Sequence, residues 1–286
     1  MVTNIIPSFI ITFREALEAA LIIGIIAAYI AKVGRKDLNR YLTAGIIAAV
    51  IASAGVAMIF KAVYGGLEGM AEQLFEGAAA LTAAAVLTYM IFWMAENSKK
   101  IKGELQEKVD VSISKGEMMG IAALSFIAVF REGVETVLFL GTLAISSPVD
   151  TLAGFAFGVM AVVILSAVMF RGIYNLDMSK FFKYTSILLI LFSAGMVAMG
   201  VHELNEAGII PPVVEHVWDV NPPVNPDGSY PLLHDNGAVG GILKSLIGYN
   251  GNPSLTEVIA YSGYWAIIGI FIYRTYMKKP EVKNGS

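Results

Sequence analysis

Two short clusters set charge inside apolar surroundings. FREALEAALIIG (13–24) carries Arg14, Glu15 and Glu18, and FREGVETVLFLG (130–141) carries Arg131, Glu132 and Glu135. Within each cluster the carboxylates are three residues apart, so on a helix they share one face. Each arginine stands one residue earlier, about 100° around the helix. From there it braces or neutralises the carboxylates rather than joining their ligating face. Fully ionised, four glutamates and two arginines sum to −2. Converging carboxylate oxygens suit hard cations such as ferric iron, magnesium, calcium and manganese. The chain has no cysteine, so it offers no disulfide framework and no thiolate for a soft metal.

These charges must be positioned by a membrane-embedded scaffold. Of the 286 residues, 56% are hydrophobic and 15% charged, and the mean hydropathy is +0.68. Soluble domains carry about 25% charge. A membrane span needs roughly 20 apolar residues, and runs of that kind lie near 5–31, 41–63, 74–95, 117–145, 151–171, 182–204 and 256–277. The expected fold is therefore all-α and polytopic, with seven transmembrane helices. The first run is not a cleaved signal peptide, since it has no basic leader and carries three charges midway.

The connectors alternate in charge. KVGRKDLNR (32–40), the lysine-bearing 96–117 segment, RGIYNLDMSKFFK (171–183) and the tail with Arg274, Lys278, Lys279 and Lys283 each carry several Lys or Arg; those between them carry one at most. Basic connectors face the cytoplasm. This places the N-terminus outside and the C-terminus inside. Segment 205–255, rich in Pro, Gly and Asn, is expected as an irregular outer loop with a short interfacial helix near 237–247. Segment 96–117 is expected to hold a short amphipathic helix on the inner surface.

Residues 8–24 and 125–141 match at 9 of 17 positions with an offset of 117. A weaker echo pairs MIFKAVY (58–64) with VMFRGIY (168–174). The unit is three spans, 1–95, repeated at 117–204, with span 256–277 added to the one permease domain. Three is odd, so the second unit is inverted. Inverted repeats place substrate sites near the midplane at the repeat interface and support alternating access. The four glutamates lie about 15–20 Å from a membrane face, near the middle of a core about 30 Å thick. Each charge there costs about 2.5–3.5 kcal/mol on insertion scales. Buried Arg–Glu pairs that only fix helix packing are the simpler reading of one cluster. Such pairs add little stability, so this reading explains two matched copies poorly.

At these residues the chain resembles the oxidase-dependent iron permeases of fungi and bacteria, whose REXXE signature lies in the first and fourth of seven helices. Here it reads REALE (14–18) and REGVE (131–135), and the likeness runs through all seven spans. The resemblance implies a plasma-membrane permease rather than an enzyme. It implies inward movement of iron, typically ferric, with Glu15, Glu18, Glu132 and Glu135 as ligands and Arg14 and Arg131 in support. It also implies an extracytoplasmic ferroxidase or iron-donor partner beside the lipid bilayer, and no attached oxidase domain is expected within these residues. Ala16 and Val134 fall at variable positions of the signature. Lead, manganese or another divalent cation is the alternative cargo. A non-transporting membrane anchor for an iron-binding partner is the alternative of another class.

Further groups could collect cations outside. Glu68, Glu72 and Glu76 form one acidic stripe leading into the third span. Acids also favour a helix start for electrostatic reasons alone, and that reading suits Glu68. His202 and Glu203 close the sixth span near the pathway mouth, and His216 and His234 lie in the polar outer loop. The GxxxG of TLAGFAFGVM (151–160) and the alanines of 78–87 are expected as close-packing surfaces. Trp93, Trp218 and Trp265 are expected as interfacial anchors.

Overall fold

The structure, a computed structural model, describes residues 4–97, 100–114, 118–170 and 178–274. Among these, every regular element is helical. α1 (Ile5–Lys32) leads through a 3-10 turn (Lys36–Leu38) to α2 (Asn39–Tyr64) and α3 (Met70–Asn97). α4 (Ile101–Ser114), α5 (Met118–Ser146), α6 (Pro148–Phe170) and α7 (Met178–Glu206) follow, then α8 (Ala238–Ile247) and α9 (Leu255–Ile272). Each of the seven apolar runs is a helix, and α4 and α8 are the two short connector helices. Lys99, Lys115, connector residues 171–177 and the tail bases Lys278, Lys279 and Lys283 lie outside the described residues.

Five segments are long and apolar enough to cross a membrane: Lys36–Tyr64, Met70–Asn97, Pro148–Met169, Tyr184–Glu206 and Leu255–Ile272. α1 and α5, at 28 and 29 residues, have the length as well. They differ in holding the three charges of each cluster near their middles. Helices suit lipid because each satisfies its own backbone groups. α2 and α6 turn large apolar side chains outward, among them Ile51, Met58, Leu152 and Ile164. This is a membrane protein.

Inside the bundle α2 lies along α5, α6 along α1, and α3 along α7, while α1 meets α5. Lipid is as apolar as leucine, so close backbone approach holds such helices together. Gly45 of α2 sits against Ser125 and Ala122 of α5. Gly154 of α6 sits against Ile5 and Ser8 of α1, and Gly158 against Thr12. The GxxxG is thus a packing face, on α1. A Cβ on Gly77 would come 2.9 Å from the Gly200 carbonyl oxygen. Ala79, Ala80, Ala83 and Ala84 are buried on the same helix.

The ends are tied down by polar bonds. Asn4 Nδ2 donates to the Leu143 carbonyl and to Ser146 Oγ, and Asn4 Oδ1 accepts from Ser245 Oγ. The start of α1 is thereby fixed to the end of α5 and to α8. α9 opens with a capping box, in which Ser254 Oγ accepts from Glu257 N–H and the Glu257 side chain reaches back to Ser254 N–H. Two apolar clusters fill the interior. One contains Ile11, Leu87, Phe139 and Leu189; the other contains Ile26, Ile30, Val109 and Ile121. Along α1, Ile11 precedes Glu15 by about one turn and Ile26 follows Glu18 by about two turns. The charged band lies between two apolar plugs.

Candidate metal site

α1 and α5 cross with their charged turns facing. Arg14 is 1% exposed, Glu15 0%, Glu18 3% and Glu132 2%. Arg14 Nη1 lies 2.6 Å from Glu15 Oε1 and Nη2 lies 2.9 Å from Glu18 Oε1. The second contact pairs charge without the alignment of a hydrogen bond. Arg131 Nη2 lies 2.5 Å from Glu132 Oε1, and Nε lies 3.7 Å from Glu135 Oε1. Each arginine therefore bridges the two glutamates of its own cluster, as the spacing of one and four residues allows. Each cluster is preceded by a stacked pair. Phe9 faces Phe13 at 5.7 Å and Phe126 faces Phe130 at 5.3 Å.

The pairing leaves one oxygen free on Glu15, Glu132 and Glu135, while the unbonded Glu18 oxygen is the one that faces Arg14. Glu15 Oε2, Glu18 Oε1, Glu132 Oε2 and Glu135 Oε2 are buried without a hydrogen-bond partner. An unsatisfied buried acceptor costs about 1–3 kcal/mol, more when charged. Oxygens from Glu15, Glu132 and Glu135 all lie within 4.8 Å of one another. Hard divalent ions such as magnesium bind oxygen at about 2.0–2.1 Å, which sets opposite ligands about 4 Å apart. Glu18, ion-paired with Arg14, is not in this converging group. The three-way convergence was not legible in the sequence, because it depends on how α1 and α5 are rotated toward each other.

The outer candidates form a separate polar patch. Tyr64 OH lies 3.0 Å from both Glu72 Oε1 and Glu76 Oε1. Glu76, on the second turn of α3, faces Glu203 near the end of α7. His202 Nδ1 lies 3.1 Å from Glu257 Oε1, and its Nε2 lies 3.3 Å from Glu206 Oε1. Asn250 Nδ2 donates to Glu257 Oε2 at 2.6 Å. Glu72, Glu76, His202 and Glu203 thus gather where the start of α3 meets the end of α7. Glu257, at the start of α9, joins them without having been singled out in the sequence. Its capping-box spacing after Ser254 was the available signal. Glu68 is exposed.

The sequence model of the iron permease FTR1 family matches residues 5–282. An uncharacterized protein of Archaeoglobus fulgidus is 36% identical over 276 residues, covering 95% of this chain and 96% of its own length. A protein named ferrous iron permease EfeU from Yersinia pseudotuberculosis is 30% identical over 271 residues, covering 92% and 90%. Its namesake in Escherichia coli O6:H1 is 29% identical over 263 residues, covering 90% and 91%. No solved structure matches.

Proposed function

Since the chain belongs to the iron permease FTR1 family, we propose that it imports iron through the carboxylate band between α1 and α5. The observation that carries this is the convergence of Glu15, Glu132 and Glu135 oxygens in a buried space, each of these glutamates holding one oxygen free. Glu18 serves through Arg14, holding that guanidinium off Glu15 Oε2. The band is built to receive a cation and to be uncomfortable without one.

Seven helices cross the plasma membrane in this reading, α4 and α8 being the two that do not. The N-terminus is outside, the C-terminus is inside, and α5 to α7 repeat α1 to α3 upside down. Exchange of the two units maps the α2–α5 pair onto the α6–α1 pair. Gly45 against Ser125 has a like contact in Gly154 against Ser8, and Phe9–Phe13 maps onto Phe126–Phe130. These likenesses support the inverted repeat. Iron arrives at the patch of Glu72, Glu76, His202 and Glu203, reaches the midplane carboxylates and leaves inward as the units rock.

Charge bears on the valence. The six motif residues sum to −2, which one ferrous ion neutralises and one ferric ion overshoots by one. The relatives from Yersinia and Escherichia coli are named for ferrous iron. Both favour ferrous iron as the ion in transit over the ferric ion that the motif resemblance implies. If an extracytoplasmic oxidase or iron donor serves this chain, its part lies before the ion enters the band. Uptake into proteoliposomes of ferrous against ferric iron, with lead and manganese as competitors, tests the assignment. Preferential uptake of manganese or lead would replace iron as the cargo, and no uptake of any metal would favour the membrane-anchor alternative.

A further inference from the structure

The two arginines of the repeat are not equivalent. The Arg14 side chain is 1% exposed and the Arg131 side chain 39%. Side chains on a helix lean toward its N-terminus. In the proposed topology Arg14 therefore leans outward from the midplane and Arg131 leans inward. Arg131 starts about 20 Å from the inner end of α5. Its guanidinium lies 5.5 Å from the ring centre of Trp93, a cation–π distance. Trp93 itself sits about 6 Å from the inner end of α3.

The outer flank is closed by elements that have no counterpart in the first repeat unit. α8 packs on α7 and touches α1, while α9 also packs on α7 and meets α3 at its inner end through Phe271 and Phe92. Ser245 of α8 is bonded to Asn4 at the start of α1. At the inner flank α4 packs on α1 and α5, and among the described residues it makes no comparable contact with α3. A guanidinium at this depth facing hydrocarbon carries a high cost. A water-filled opening reaching up from the inner face removes that cost and also exposes the band to the side of release.

We propose that the exit for the transported ion runs between α3 and α5, and that Trp93 is its gate residue, holding the Arg131 guanidinium aside. The inference rests on the topology and the carboxylate site proposed above. Arg131 competes with the metal for Glu132 and Glu135. Resting on the Trp93 face, it leaves their free oxygens to the ion. Swung onto them, it replaces the departing ion's positive charge. Trp93 is then a positioning residue that sets how readily the band exchanges iron for arginine.

The chain has no cysteine, so a single introduced thiol reports its own surroundings. Trp93→Cys in sided membrane vesicles is treated with a membrane-impermeant maleimide at one face at a time. Labelling from the inner face alone is expected. Tyr89→Cys, one turn outward on the exposed face of α3, is the lipid-facing control and stays unlabelled until the membrane is dissolved. Labelling of Trp93→Cys from the outer face, or only after the membrane is dissolved, overturns the exit. Iron efflux from preloaded proteoliposomes then tests the gate. Trp93→Ala should change the efflux rate several-fold and Trp93→Phe should restore it; equal rates in all three overturn the gating role. The labelling needs no iron, so a correctly sided opening in a protein that moves no iron would sink the iron reading alone.

Discussion

A carboxylate in hydrocarbon is held by what surrounds it, and the two clusters are surrounded unequally. Arg14 is ion-paired with both Glu15 and Glu18, with all three at 3% exposure or less. Arg14→Met strands two buried charges, and breaking a buried pair costs about 3–5 kcal/mol. Thermal unfolding in detergent should show a large loss for Arg14→Met and a smaller one for the half-exposed Arg131→Met; equal losses would contradict the asymmetry. Glu15→Gln, Glu132→Gln and Glu135→Gln should each remove iron binding while the protein still reaches the membrane. Glu18→Gln should weaken binding less, because Arg14 keeps one partner; isothermal titration of iron into the four purified variants orders them. The clusters were legible in the sequence because a charge inside an apolar run stands out against its cost. Which carboxylates converge was not, because that is decided by helix rotation and by which oxygens the arginines occupy.

At the scale of elements, the helices followed from length alone. A run of roughly 20 apolar residues has no other stable form in lipid, and over the described residues each of the seven runs is a helix. The partners of each helix did not follow. The GxxxG at 154–158 announces close packing but does not name α1 as the surface it meets. Gly133, at a variable position of the REGVE cluster, looks chemically neutral in sequence. In the fold it rests against Ser53 of α2, so a side chain there needs backbone or Ser53 to move. A Cβ on Gly158 would lie 2.7 Å from Thr12 Cβ, whereas nothing lies within 4 Å of a Cβ on Gly263. Gly158→Ala should therefore cost about 1–3 kcal/mol through overpacking. Gly263→Ala should stay within about 0.5 kcal/mol. Matched midpoints in detergent melts would contradict the packing account.

For the whole molecule, function depends on sidedness. The charge of the connectors predicts that α4 faces the cytoplasm and the 205–255 loop faces outward. Glu104→Cys, exposed on α4, should be labelled by an impermeant reagent from the inner face, and Asp227→Cys from the outer face. The opposite pattern would invert the repeat and the direction of the proposed exit with it. The extra elements after the second unit give the bundle its direction. In the proposed arrangement α8 ties α7 to the start of α1 at the outer flank, and the ion is released at the other. Iron uptake into proteoliposomes by the purified protein and by Glu132→Gln, at equal insertion, tests the central claim most directly. The account predicts uptake by the native protein and none above protein-free liposomes for the variant. Equal uptake by the two would show that iron does not pass through the paired-cluster carboxylates.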